Sequence, residues 1–270
     1  MSDAKATLAV LAQSLKRMGM ERLYLSDAAA AALSGAKTTP PPRTPQAATA
    51  KLSSQPFVRS LRKPDPKIVA EKAERLRRLE EPLRRCEACR LCHGRTNLVY
   101  GVGNPDADLM FIGEGPGRDE DLQGEPFVGK AGQLLTDMIT KGMRLRREDV
   151  YIANVVKCRP PENRNPEQDE MEACLPNLLK QIEIIEPKII VTLGAVPAKG
   201  FLKEKTGVTR LRGNWRSFKG IPVLPTLHPA YLLRNPPAKK DCWEDLKQVI
   251  AFLNGELEPP LPAGQNPQLF

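Results

Sequence analysis

Residues 109–117, LMFIGEGPG, join an apolar segment directly to a glycine-rich loop. Apolar residues that follow one another without polar alternation are typical of a strand buried on both faces, so Leu109–Gly113 is predicted as such a strand. The glycines allow backbone N–H groups to approach a ligand closely. The loop has neither the Gly-Lys-Ser/Thr of a phosphate-binding loop nor a dinucleotide fingerprint, so alone it indicates only a tight strand-to-helix turn.

Further apolar segments of the same character are predicted as buried strands, over Val150–Val156, Lys188–Leu193 and Ile221–Thr226. Helices are predicted over Lys67–Arg85, Lys130–Met143, Glu167–Ile185, Ala195–Lys203 and Asp241–Leu253. Strands that alternate with helices indicate an α/β fold, in which helices cover both faces of a parallel sheet. Ligands of such sheets bind beyond the C-terminal strand ends, which is where the most distinctive loops of this sequence fall.

Composition divides the chain into an extension, a folded domain and a tail. Residues 1–67 contain alanine-, proline- and threonine-rich stretches with too little apolar surface to offset chain entropy, so a flexible extension is predicted. A folded domain is predicted over residues 68–256 and a tail over 257–270. The formal net charge is +9, but residues 1–70 hold 11 basic and 4 acidic side chains, against 30 and 28 in the remainder. Bulk charge therefore does not establish that the domain binds nucleic acid.

The sequence contains no apolar run of about 18 residues, so no membrane-spanning helix is expected. Its N-terminus lacks the charged stub, apolar core and cleavage site of a secretory signal, and a cytoplasmic location is predicted. A monomer is the default expectation.

Cysteine spacing predicts a metal site. The six cysteines are Cys86, Cys89, Cys92, Cys158, Cys174 and Cys242. Disulfides are not expected in a reducing compartment, whereas a close group of thiols with two distant ones is a metal-ligand pattern. Spacing alone leaves zinc and an iron–sulfur cluster equally favoured. It also leaves Cys92 as either a ligand or a bystander, and Cys242 reads as an ordinary buried cysteine.

Four loop motifs occur in order: GEGPG at 113–117, PFVGKAG at 126–132, NVVKCRPP at 154–161 and HPAYLLR at 228–234. Together with the cysteines they closely resemble the family-four uracil-DNA glycosylases, over about residues 86–253. The resemblance implies a three-layer α/β/α sandwich with a central four-stranded parallel sheet. It also implies a [4Fe–4S] cluster held by Cys86, Cys89, Cys158 and Cys174, with Cys92 outside the ligand set.

The resemblance further implies how a uracil that has left the duplex would be held. Phe127 would stack on the base, Asn154 would read its edge through the side-chain amide, and backbone N–H groups near Gly115 would help to hold it. Glu120 would occupy the space that the thymine methyl group needs. Residue type alone leaves a simpler interpretation of each side chain open. Phe127 could be a core residue, Asn154 a capping residue and Glu120 a solvated surface residue.

Two residues are implied in the chemistry. His228 would donate a hydrogen bond to uracil O2 and stabilise the negative charge that develops on the departing base. Some relatives carry an aspartate in the first loop to activate water, but the matching position here is Gly115. Glu114 is the nearest carboxylate, and either activates water or braces the loop.

DNA contacts are implied at the last motif. Leu232 and Leu233 would wedge into the space that the base vacates, and Arg234 would bind a phosphate. Lys130, at a predicted helix start, would meet another phosphate. The basic cluster Arg144–Arg147 is either a further phosphate contact or solvated surface.

The resemblance implies a monofunctional uracil-DNA glycosylase that acts on uracil-containing DNA and leaves an abasic site for base excision repair. One alternative is a glycosylase of broader specificity for deaminated bases. Relatives of that type depart from glutamate at the position of Glu114, which argues against it. The other alternative is a non-enzymatic iron–sulfur module for DNA binding or electron transfer.

Overall fold

The computed structural model describes Val58 and residues 61–203 and 206–260. Its strands are β1 (Val102–Gly103), β2 (Leu109–Gly113), β3 (Tyr151–Asn154), β4 (Ile189–Leu193), β5 (Arg216–Phe218) and β6 (Ile221–Thr226). Its α-helices are α1 (Pro66–Leu83), α2 (Arg118–Gln123), α3 (Lys130–Asp137), α4 (Gln168–Ile185), α5 (Ala195–Gly200), α6 (Val208–Leu211), α7 (Pro229–Arg234) and α8 (Lys239–Leu253). Short 3-10 turns cover Arg90–His93, Arg147–Asp149, Pro161–Asn163 and Pro236–Ala238, and a π-helical turn, Met138–Met143, continues α3.

The strands form one sheet in the order β1-β3-β2-β4-β6-β5. The four inner strands are parallel, which confirms the predicted central sheet. Two antiparallel edge strands, β1 and β5, extend it to six. Strands of two and three residues carry too little periodicity to be read from sequence, and β5 is defined by its tight turn through Lys219 and Gly220, both with positive φ.

Alternate residues of the inner strands enter two separate cores. On one face, Met110 and Ile112 of β2 pack with apolar side chains of α1 and α4. On the other, Leu109 and Phe111 pack with those of α3 and α8. All of β2 is buried, as its unbroken apolar sequence predicts. Helices on both faces of the sheet confirm the three-layer α/β/α sandwich.

The packed region begins before the predicted domain boundary at residue 68. Val58 is buried in the core on the α3 and α8 side. The Arg62 side chain forms ion pairs with Asp106 and Asp108, both buried. Apart from Val58 and residues 61–67, the predicted extension lies outside the described residues, and so does the predicted tail after residue 260. None of the helices in the described ranges has the length and apolar character that crossing a bilayer requires.

Candidate active site and cysteine cavity

A cleft opens at the C-terminal ends of the inner strands, and we call it the strand-end cleft. It lies where parallel sheets bind ligands. Register pairs Gly113 at the end of β2 with Asn154 at the end of β3, which brings two of the predicted loops side by side. The predicted residues that line the cleft are Glu114, Gly115, Glu120, Phe127, Asn154, His228 and Arg234.

Phe127 and His228 form the aromatic part of the cleft. Their ring centroids are 5.7 Å apart and the planes are tilted by 33°. Phe127 adopts a left-handed backbone conformation, φ 56°, which is costly for a residue with a bulky side chain. Arg147 holds this conformation, because its Nη2 donates to the carbonyl oxygens of Pro126 and Phe127, at 2.7 and 3.1 Å. The phosphate-contact interpretation of the basic cluster is therefore wrong for Arg147, whose half-buried guanidinium points into the fold.

Asn154 presents an unpaired acceptor to the cleft. The residue is only 2% exposed, and its Oδ1 accepts no hydrogen bond from the described residues. A Cβ at position 113 would meet both this oxygen and the Phe127 ring, so Gly113 lets the two groups converge. Because buried polar atoms are nearly always hydrogen-bonded, an orphaned acceptor beside an aromatic ring indicates a site that awaits a donor.

His228 is held as a neutral donor. It caps the N-terminus of α7, where its Nδ1 accepts a hydrogen bond from the Ala230 backbone N–H at 3.1 Å. Burial, reinforced by the charge of Arg234, lowers the pKa of His228 to about 4. In a neutral imidazole whose Nδ1 is an acceptor, the proton resides on Nε2. The ring therefore offers an Nε2–H donor at neutral pH.

The two carboxylates of the cleft differ in their surroundings. Burial raises the pKa of Glu114 to about 7, so this group changes its charge near neutral pH. Glu120 is fixed by hydrogen bonds, since its Oε1 accepts from the backbone N–H groups of Val128 and Gly129, each at 3.0 Å. Glu120 thus supports the turn that carries Phe127 and is not an ordinary solvated side chain.

The predicted DNA-contacting residues divide into exposed and buried ones. Leu233 is 43% exposed, and Lys130 and Arg234 are also exposed near the cleft. Leu232 is only 1% exposed and packs in a small core cluster with Leu227 and its neighbours. The predicted wedge role of Leu232 is therefore wrong, because on this one-and-a-half-turn helix adjacent residues point in different directions.

One wall of the cleft was missed by sequence reasoning. Asn163, Arg164 and Asn165, from the loop after β3, line it. Arg164 is anchored by two hydrogen bonds, at 2.8 and 2.7 Å, to the buried carboxylate of Glu170. The proline- and asparagine-rich sequence after Cys158 signals a turn, but gives no indication that the turn folds back over the strand ends.

A second, smaller cavity is lined by thiols, and we call it the cysteine cavity. Its cysteines are Cys86, Cys89, Cys92, Cys158 and Cys174. The structure thus brings together the four predicted ligands and adds Cys92 to the lining. Cys242 lies elsewhere, buried in α8, in agreement with its reading as an ordinary core residue.

Cations face the cysteine cavity. Arg95 donates from Nη1 to Cys158 Sγ at 3.3 Å and to the Cys86 carbonyl at 2.9 Å. Burial nevertheless raises the pKa of Cys158 to about 11 and also raises that of Cys174. No group of three His, Cys, Asp or Glu among the described residues has the geometry for a single metal ion.

The fold and the strand-end cleft define a class of protein. The family model of the Uracil DNA glycosylase superfamily matches residues 100–247, and the chain belongs to that superfamily. It is 49% identical over 183 residues to the type-4 uracil-DNA glycosylase of Sulfurisphaera tokodaii, covering 64% of this chain and 83% of the relative. It is 47% identical over 184 residues to that of Thermotoga maritima, covering 66% and 94%.

A type-5 uracil-DNA glycosylase of Pyrobaculum aerophilum is more distant, at 29% identity over 168 residues, covering 56% of this chain and 73% of the relative. The type-4 branch of the superfamily is therefore the one to which this sequence corresponds, and the resemblance drawn from the four loop motifs is confirmed.

Proposed function

We propose that this chain is a monofunctional uracil-DNA glycosylase, which hydrolyses the N-glycosidic bond of a flipped-out deoxyuridine and leaves an abasic site for base excision repair. Its type-4 relatives bear the same activity in their names. The observation that carries the proposal is the orphaned Oδ1 of Asn154, buried beside the Phe127 ring.

Asn154 distinguishes uracil from cytosine. The N3–H of uracil is a donor that satisfies Oδ1, whereas N3 of cytosine is an acceptor and would leave two acceptors facing each other. A site built to bond a particular group rejects an analogue that lacks it, because the buried partner then remains unpaired. Phe127 supplies the stacking surface. Glu120 is fixed by hydrogen bonds from the backbone of residues 128 and 129, and it excludes thymine by occupying the space that the methyl group needs.

The chemistry is assigned to two side chains. The bond between C1′ of the sugar and N1 of uracil breaks, and its electron pair passes to the base. The Nε2–H of His228 donates to uracil O2 and stabilises that charge. Water forms the new bond to C1′ and gives its proton to the Glu114 carboxylate, whose pKa of about 7 suits a base at neutral pH.

DNA is held around this cleft by exposed groups. Leu233 enters the space that the base leaves, and Arg234 and Lys130 bind phosphates of the same strand. The substrate is uracil-containing DNA, single- or double-stranded.

The cysteine cavity fits a [4Fe–4S] cluster. Four cysteine thiolates are the usual ligands of such a cluster, and the four predicted ligands all line this one cavity. Cys86, Cys89, Cys158 and Cys174 would hold it. When bound, the cluster ties the loop after α1 to the segment after β3 and to α4, and so stabilises the fold.

Release of free uracil from labelled oligonucleotides tests the activity. We expect release from uracil-containing strands and none from strands with cytosine or thymine at the same position. Release of hypoxanthine at a comparable rate would favour the broader-specificity alternative. An intact, iron-loaded protein that releases no base would favour the non-enzymatic one. Analysis for about four iron and four sulfide per chain, with the visible absorbance spectrum, tests the cluster.

A further inference from the structure

Lys157 is a fully buried charge to which the reaction scheme gives no role. It is 1% exposed and lies between Asn154, at the end of β3, and Cys158, in the cysteine cavity. Burial of an ammonium group is unfavourable unless partners compensate it. The partners of Lys157 therefore indicate what this charge serves.

On one side, Lys157 holds the strand that reads the base. Its Nζ donates to the backbone carbonyl of Asn154 at 2.9 Å and to Oε1 of Gln181. The Tyr100 ring lies 5.9 Å away. All of these partners are neutral, and no carboxylate of the described residues forms an ion pair with Lys157. Within the described part of the chain, the charge has hydrogen bonds but no counter-ion.

On the other side, Lys157 lines the cysteine cavity. Its backbone N–H donates to the sulfur of Cys174, and both residues line the same cavity. Thiolates that bind iron are negatively charged and buried in this cavity. They supply the anionic partner that the hydrogen-bonding groups around Lys157 do not.

We propose that Lys157 is a positioning residue shared by the two sites, whose ammonium group offsets the negative charge of the cysteine cavity while it holds the Asn154 carbonyl in place. The inference rests on the proposed function and deepens it. The charge state of the cavity then helps to fix the Asn154 amide, although the cavity contributes no atom to the strand-end cleft. Lys157 acts through Asn154 and does not touch the substrate.

Full-length, iron-loaded Lys157→Met and Lys157→Arg proteins test this proposal. In Lys157→Met we expect the midpoint potential of the cluster to become more negative. Iron should be lost to a chelator about tenfold faster, as when other partners of metal ligands are removed. Inhibition of the enzyme by free uracil should be about tenfold weaker. The value of kcat should change less than KM, because the reacting groups His228 and Glu114 are intact. Lys157→Arg should restore the potential and the retention of iron.

Lys72→Met is the matched control. Lys72 is also buried, but it pairs with Asp106 at 2.9 Å and Glu186 at 3.0 Å, and it lines neither cavity. Its loss should lower the melting temperature and leave the potential and uracil inhibition unchanged. If Lys72→Met shifts them as Lys157→Met does, general destabilisation explains the result and the proposal is overturned.

A folded Lys157→Met protein with wild-type potential, iron retention and uracil inhibition also overturns the inference. If that variant does not fold, Lys157→Gln, which keeps a donor without the charge, is measured, and an unchanged potential has the same meaning. Wild-type protein that releases no uracil refutes the proposed function, whereas active wild-type protein that binds no iron refutes only the cluster, and the inference with it.

Discussion

The strand-end cleft and the cysteine cavity lie at opposite ends of one short segment, residues 154–158, yet they are built differently. The cleft is open, and polar groups such as the Asn154 amide and the His228 imidazole face it without satisfying one another. The cavity is smaller, and thiols face it from several separate segments. Strand ends preform the first, whereas the proposed cluster would join the separate segments of the second. Substitutions should therefore separate into those that remove activity and those that remove stability.

The largest expected effect is on the cavity. Cys158→Ala should prevent full iron loading and lower the melting temperature by ten degrees or more, since metal-binding free energies of about 10 kcal/mol contribute directly to folding. Iron analysis and thermal unfolding measure this. The control is Cys242→Ala, which removes a thiol that is buried like Cys158 but lies outside the cavity. This variant should keep the full iron content of the wild-type protein. A fully loaded, stable Cys158→Ala protein would remove Cys158 from the ligand set.

The next effect belongs to the cleft. His228→Ala should lower kcat by about 10²–10³, the usual consequence of losing a donor to developing negative charge, and leave the melting temperature nearly unchanged. Single-turnover kinetics give the rate. His93→Ala removes the other histidine, which lies among the cysteines, and should have wild-type kcat. Equal rates for His228→Ala and wild type would exclude leaving-group stabilisation by this ring.

Asn154→Ala should reduce kcat/KM for uracil DNA by about 10²-fold, because the N3–H of the base loses its acceptor. Steady-state kinetics and inhibition by free uracil report the change, and iron content should remain at the wild-type value. Asn214→Ala is the control, since Asn214 bonds only to backbone carbonyls of its own turn. Unchanged uracil inhibition in Asn154→Ala would contradict the edge-reading role.

A smaller effect is expected from pH. Glu114 accepts a proton only when ionised, so with a pKa of about 7 the value of kcat/KM should rise with pH and be about tenfold below its plateau at pH 6. His228, with a pKa of about 4, stays neutral over this range and adds no second limb. The slope should vanish in Glu114→Gln. Persistence of the same midpoint in that variant would assign the titration to another group.

The smallest effect concerns the support of Phe127. Arg147→Met removes both hydrogen bonds to residues 126 and 127 and should raise KM about fivefold with little change in kcat, in line with the roughly 1 kcal/mol of a strained backbone conformation. Arg146→Met, in the adjacent exposed ion pair with Asp149, should match wild type. If Arg146→Met and Arg147→Met behave alike, the anchoring role is wrong.

Much of this molecule was predictable because its inner strands are continuously apolar. The predicted Leu109–Gly113 and Ile221–Thr226 agree with the structure residue for residue. Once these strands were predicted to be parallel, the loops that follow them could be assigned to one edge of the sheet. Family membership followed from motifs in register, while the cytoplasmic location, the monomeric state and the roles of the individual site residues stay predictions.

What escaped prediction depends on long-range packing. The burial of Leu232 and the exposure of Leu233 depend on how α7 docks, which adjacent leucines do not reveal. The capping bond to His228 Nδ1 sets the tautomer, and no sequence pattern specifies a tautomer. Arg147 looks like a surface cation until the turn at Phe127 folds over it, and nothing in the sequence around Lys157 indicates that its ammonium group is buried.

The left-handed turn at Phe127 has a consequence for how a base is received. A Cβ on residue 132 would overlap the Phe127 carbonyl, so Gly132 lets α3 begin directly against this turn while Arg147 clasps it from behind. These contacts fix the backbone that carries the Phe127 ring through interactions within the protein alone. On the proposed stacking role of Phe127, an extruded base would meet a preformed surface without loop closure, so binding of free uracil should be fast and should leave the amide exchange of residues 126–132 almost unaltered.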